Sequence, residues 1–172
     1  LVKYLDKYTD KKRKEAVNHR IVSEAATKDG IMVDLNTAVQ ISQKLAKSYG
    51  LTVIPGLEIT RDANEIGHFN ALFTTDNNLI YDPDPYQAIL NAKAQNAIIQ
   101  HNHPGWRRTK LGFSEWQKKV YGEGLVDGVE VVNGDEIYPG IVDRCVQGGM
   151  YITANTDIHA TTAADYRVNG TD

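Results

Sequence analysis

Apolar positions along the chain fall into short runs divided by polar, glycine or proline breaks, and their spacing switches between a helical and a strand period. Ala38, Ile41, Leu45 and Ala46 recur at helical spacing, with Asp34 placed to cap the segment and Gly50 to close it. Leu51–Ile54 reads as a buried strand that continues across Pro55 and Gly56 into Leu57–Thr60, and His68–Phe73 as a second strand. A polar, proline-rich connection over 74–85 leads to a helix through Tyr86, Ala88, Ile89 and Ala92. Ala97–Gln100 is the third strand, and Ser114 caps a helix reaching Gly122. Gly128–Val132 is the fourth strand. Pro139–Val146 is a short helix closed by Gly148 and Gly149, and Met150–Thr153 is the fifth strand. Upstream, 10–26 reads as a helix with a basic and acidic exposed side.

Strands that alternate with helices pair in parallel through crossovers, so the pattern predicts an α/β fold in one domain spanning 1–172. No repeat or low-complexity tract interrupts it. The chemistry-bearing residues cluster at the predicted strand ends, where parallel α/β sheets gather their sites.

Composition narrows the function more than the fold. No apolar run approaches the roughly 20 residues of a membrane span. A formal charge of −3 gives no reason to expect nonspecific nucleic-acid binding, although a small phosphorylated substrate is compatible with it where cations reverse the local field. The single cysteine, Cys145, excludes an internal disulfide and reads as a small core residue. No signal peptide is visible, and because the chain starts at Leu1 one removed from a precursor fits as well. Location therefore stays open between cytoplasmic and exported, in either case as a soluble protein.

Four of the five histidines, His68, His101, His103 and His159, sit in or beside predicted strand ends, with Glu58 and Asp157 in matching places. Neutral imidazole is the commonest metal ligand, and nearby carboxylates add the charge that holds a divalent cation. On a strand, Asp157 and His159 share a face, as do His101 and His103. His103 precedes Pro104, which predicts an extended backbone and makes it the preferred ligand of that pair.

Four segments, Pro55–Arg61, Gly67–Ala71, Asn102–Trp106 and Thr156–His159, follow one another in an order that resembles the later metal-site motifs of the PHP (polymerase and histidinol phosphatase) superfamily, in particular its stand-alone phosphoesterases. The resemblance implies a distorted (β/α)7 barrel with two or three divalent ions at one face, Zn, Mn or Fe suiting the histidine-rich set. It implies that Glu58 bridges two ions, that His68 and His103 complete one, that Asp157 serves the other, and that His159 serves a third. Arg61 is then the candidate catalytic residue, holding a phosphoryl oxygen, with a surface salt-bridge partner as the other reading of the same side chain. Hydrolysis of a phosphate mono- or diester by metal-activated water is the implied activity.

The resemblance has a gap. The superfamily opens with a His-x-His motif on its first strand, and none precedes Leu51, where His19 is the one histidine and a candidate for an early ligand. Either the sequence is incomplete at its N-terminus or a metal position has been lost, and the second case favours a degenerate metal-binding module that recognises a ligand or partner. A metal amidohydrolase is a third reading, for which the expected lysine or extra histidines have no place here. Trp106 either packs at the rim or stacks on a substrate ring, and Glu130, inside a strand, reads as a structural partner of a polar group.

Overall fold

The computed structural model describes residues 34–107 and 112–157. The expected helix over 10–26, His19 and His159 lie outside the described residues. Four α-helices and six strands are described: α1 (Thr37–Ala46), β1 (Gly56–Thr60), β2 (His68–Leu72), α2 (Pro85–Ala94), β3 (Ile98–Asn102), α3 (Glu115–Gly122), β4 (Gly128–Asn133), β5 (Glu136–Ile137), α4 (Val142–Gly148) and β6 (Tyr151–Asn155).

Local chemistry sets the helix ends. Ser114 and Gln117 form a reciprocal capping box at α3, and Asp84 caps α2 with Pro85 in its first turn. Gly50 and Gly149 adopt φ of 64° and 65° where the chain leaves its helices. Asn36 rather than Asp34 holds the cap position of α1; the Asp34 carboxylate accepts the Asn36 N–H and the Thr37 hydroxyl instead.

All six strands join one sheet, with β1–β2–β3–β4 as neighbours, β6 on the other side of β4, and short β5 pairing the end of β4. The expectation of parallel pairing holds for β3–β4 and β4–β6 but fails at β1–β2 and β2–β3, which are antiparallel. The β1–β2 connection is residues 61–67, too short for a crossover of a dozen or more residues, so the chain must turn back as a hairpin. Mixed α/β architecture is thus shown, as an open sheet over the described residues. Residues 51–54 are not a strand: β2 ends opposite Gly56, Phe73 turns away with φ 63°, and Leu51 and Ile54 stay exposed without a pairing partner.

The sheet has two unlike faces. Ile59, Phe69, Ala71, Ile99 and Val129 alternate onto the side packed by Ala88, Ile89 and Ala92 of α2, Val120 of α3 and Cys145 of α4, which together form the buried core. Cys145 is in the core, as its type suggested. Glu58, Thr60, His68, Asn70, Gln100, Asn102 and Glu130 alternate onto the opposite side. That polar face carries the candidate site. Among the described residues no helix is long and apolar enough to cross a membrane.

Candidate metal centre

The β1–β2 register decides which side chains meet. Glu58 lies opposite Asn70 and Thr60 opposite His68, so Glu58 and His68 are diagonal neighbours on the polar face. Their side chains close to 3.1 Å between Glu58 Oε1 and His68 Nδ1. Ligand atoms each about 2.1 Å from a common ion lie roughly 3.0–3.4 Å apart at octahedral or tetrahedral angles, so this separation suits a shared ion. His68 opens β2 instead of ending it. It still reaches the site because β2 runs backwards, which sets its N-terminal end beside the C-terminal ends of β1 and β3.

The approach to His68 is held firmly. Asp62 accepts the N–H groups of Asn64 and Glu65 with its carboxylate, and those of Ile66 and Gly67 with its carbonyl. The α3 terminus ties the same loop down, since Ser114 Oγ donates to Glu65 O and Gln117 Nε2 to Ile66 O. Gly67 has φ 97°, and a Cβ there would lie 2.7 Å from His101 Nε2, so the position excludes larger residues twice over.

His68 Nε2 lies 3.1 Å from the Arg61 carbonyl, which can only accept, so this nitrogen donates there and Nδ1 is the ring atom turned toward Glu58. Outer partners of metal-binding histidines commonly fix the ring in this way. The Arg61 guanidinium itself donates to the carbonyls of Thr60 and Asp82, both at 2.9 Å, with further N–H groups beyond those two bonds.

His103 lies just beyond β3 and is 7% exposed. One ligand atom each from Glu58, His68 and His103 fall within 4.8 Å of one another, so small side-chain rotations bring all three onto one ion. The extended backbone expected before Pro104 is not adopted: His103 has φ 28° and begins a turn closed by Trp106 N–H to His103 O at 2.9 Å. This left-handed residue breaks strand alternation, and it sends His101 and His103 to opposite sides. His101 stacks on Phe69 at 4.4 Å between ring centres and bonds Tyr121 through Nδ1 at 2.8 Å, as a core residue.

Asp157, past the end of β6, also has a left-handed φ of 46°, and its Oδ2 stands 3.9 Å from His103 Nε2. Non-glycine residues with such φ are uncommon and gather at functional sites. Trp106 leans on both histidine rings, at 5.4 Å from His68 and 5.3 Å from His103, and the Arg107 guanidinium lies over the Trp106 ring, 4.5 Å from its centre. It walls the site as a packing residue. Glu130 is the partner of polar groups that its sequence position suggested: it is 3% exposed and accepts from the His103 N–H and from Asn155 Nδ2.

Burial pushes the Glu58 carboxyl upward, but the hydrogen bond from His68 and the charges of His68 and His103 outweigh it and hold the group below its ordinary value. A carboxylate ionised at neutral pH, beside two imidazoles and within reach of a second carboxylate, is a donor set that fits a divalent ion.

No protein-family model and no curated protein matches the chain. Among solved structures it is similar to a two-domain protein from Bacteroides vulgatus ATCC 8482, described as containing a predicted PHP-like metal-dependent phosphoesterase. The TM-score is 0.72 at 29% identity, over 86% of this chain. The likeness is to PHP-like proteins at superfamily level. It covers 44% of the other protein, so this chain spans less than half of that protein's length.

Proposed function

We propose that this chain is the metal-binding part of a hydrolase of phosphate esters. The observation that carries the reading is the convergence of Glu58, His68 and His103 from three separate chain segments onto one point of the polar face. The PHP-like neighbour supports it independently. Glu58, His68 and His103 would hold one ion, Asp157 would serve a second, and His159 would serve a third. Zn, Mn or Fe suits the mixed nitrogen and oxygen set better than Mg.

Ions bound there would supply Lewis-acid charge and a lowered water pKa. Around them the protein's own residues do the positioning. The Arg61 carbonyl sets the His68 tautomer, and Trp106 fills the flank of both imidazoles and keeps water from that side. The Arg61 guanidinium, anchored on two carbonyls, offers its remaining N–H groups to a phosphoryl oxygen. A small phosphorylated molecule is the proposed substrate.

Turnover of chromogenic phosphate mono- and diesters by protein loaded with Mn or Zn tests the reading. Hydrolysis abolished by Glu58→Ala or His103→Ala is the expected result. Metal uptake without turnover of either ester would leave a binding module in its place.

A further inference from the structure

We propose that Glu130 is the positioning residue of this centre, a buried strut that holds the His103 turn and the β6 end leading to Asp157 at the separation a metal site needs. The inference rests on reading the centre as a metal site. Glu130 sits in the middle of β4, the most buried strand, where an apolar side chain would be the ordinary choice. A carboxylate is costly to bury there unless its oxygens are engaged. Both are. Oε2 accepts the His103 backbone N–H at 2.5 Å, and Oε1 accepts from Asn155 Nδ2 at 2.8 Å.

These two bonds reach the two arms of the site. His103 holds φ 28° immediately before a proline, a strained conformation that persists only where neighbours impose it. The bond from its N–H to Glu130 is such a constraint. Asn155 is the last residue of β6, two before Asp157, whose carboxylate stands 3.9 Å from His103 Nε2. One carboxylate thus spans the gap between the candidate ligands without being one of them.

The sheet is built to aim it. The β4–β6 register shifts between Glu130 and Val132, leaving Val131 as the extra residue of a bulge, with its carbonyl accepting from Tyr138 N at 2.8 Å. Bulges beside functional sites redirect a side chain in this manner. A purely packing role for Glu130 would not require both oxygens to be spent on the two arms of one site.

The test uses the full chain and Co2+ as the probe, reading affinity by chelator competition and geometry by the visible absorption of the bound ion. Glu130→Leu removes both acceptors and is expected to weaken Co2+ binding by about 10–100-fold and to alter the spectrum. Glu130→Gln keeps one carbonyl for the His103 N–H, and the Asn155 amide can turn to meet the new donor, so this variant should recover most of the affinity. Asn155→Ala, at an exposed position, should show a smaller loss in the same direction. Wild-type affinity and spectrum in Glu130→Leu, with folding verified by circular dichroism, overturns the proposal. Should that variant not fold, wild-type binding by Asn155→Ala overturns it instead. Wild-type protein that takes up no Co2+ overturns the metal reading itself, and the strut with it.

Discussion

Replacing Gly67 by alanine should be among the more damaging single-methyl changes in this protein, and the damage should reach the metal centre. The added Cβ would lie 2.7 Å from His101 Nε2 and 3.3 Å from Gln117 Nε2. Neither neighbour can retreat cheaply. His101 is 1% exposed, stacked on Phe69 and bonded to Tyr121, while Gln117 is fully buried and holds the Ile66 carbonyl. Overpacking a core typically costs 1–3 kcal/mol, and forcing an L-residue to φ 97° adds about 1–2 kcal/mol. The expected destabilisation is therefore roughly 2–5 kcal/mol, measured by urea denaturation of the metal-free protein. Because Gly67 precedes His68, the variant should also bind metal more weakly. Gly122→Ala is the control, since nothing lies within 4 Å of its Cβ and it belongs to α3. It should be neutral or stabilising by up to about 1 kcal/mol. A Gly67→Ala protein as stable as its Gly122→Ala counterpart would refute the packing argument.

Three further outcomes follow from the same geometry. Ser114→Ala removes both the α3 cap and the bond to Glu65 O, and should cost about 1 kcal/mol in denaturant unfolding, with faster amide exchange across 61–67. Asp127→Ala takes the acceptor from the buried Ile99 N–H, 2.7 Å away, along with the partner of Lys93, and should cost roughly 1–3 kcal/mol by thermal melting. Glu58 is held below its ordinary carboxylate value, so in metal-free protein its contribution is present above that value and fades as pH falls through the depressed folded one. An acid titration of stability should accordingly be shallower in Glu58→Gln than in wild type, and identical curves would remove that term.

Much of the fold was legible because alternation and capping are local. The Ser114 cap, the Gly50 and Gly149 helix ends and the apolar alternation of β2 to β4 need no knowledge of the rest of the chain. Strand direction was not legible, because a period of two looks the same whichever way a strand runs; only the short 61–67 connection betrays the hairpin. Leu51–Ile54 misled for a related reason: an apolar run becomes a strand only beside a partner, and β2 stops at Leu72.

The candidate ligands were legible by residue type, since histidine and glutamate carry their chemistry with them, but their aim was not. Parity arguments extend a strand's alternation past its end, and His103 and Asp157 both leave the extended region at that point. His101 thus went to the core while His103 turned toward Glu58 and His68. The double engagement of Glu130 depends on a bulge that leaves no mark in the amino-acid pattern. Strand β5, two exposed residues long, carries too little periodicity to be found, although Gly134 with φ 59° marks its turn.

The central claim is that Glu58, His68 and His103 bind one divalent ion together. Metal-binding titration of purified, metal-stripped protein tests it most directly, run on wild type and on Glu58→Gln, His68→Ala and His103→Ala. The geometry predicts at least one equivalent of Zn or Mn in wild type and a large loss of that tightest equivalent in each variant. Wild-type stoichiometry and affinity in all three would contradict it, and with it the assignment of this face as a metal centre.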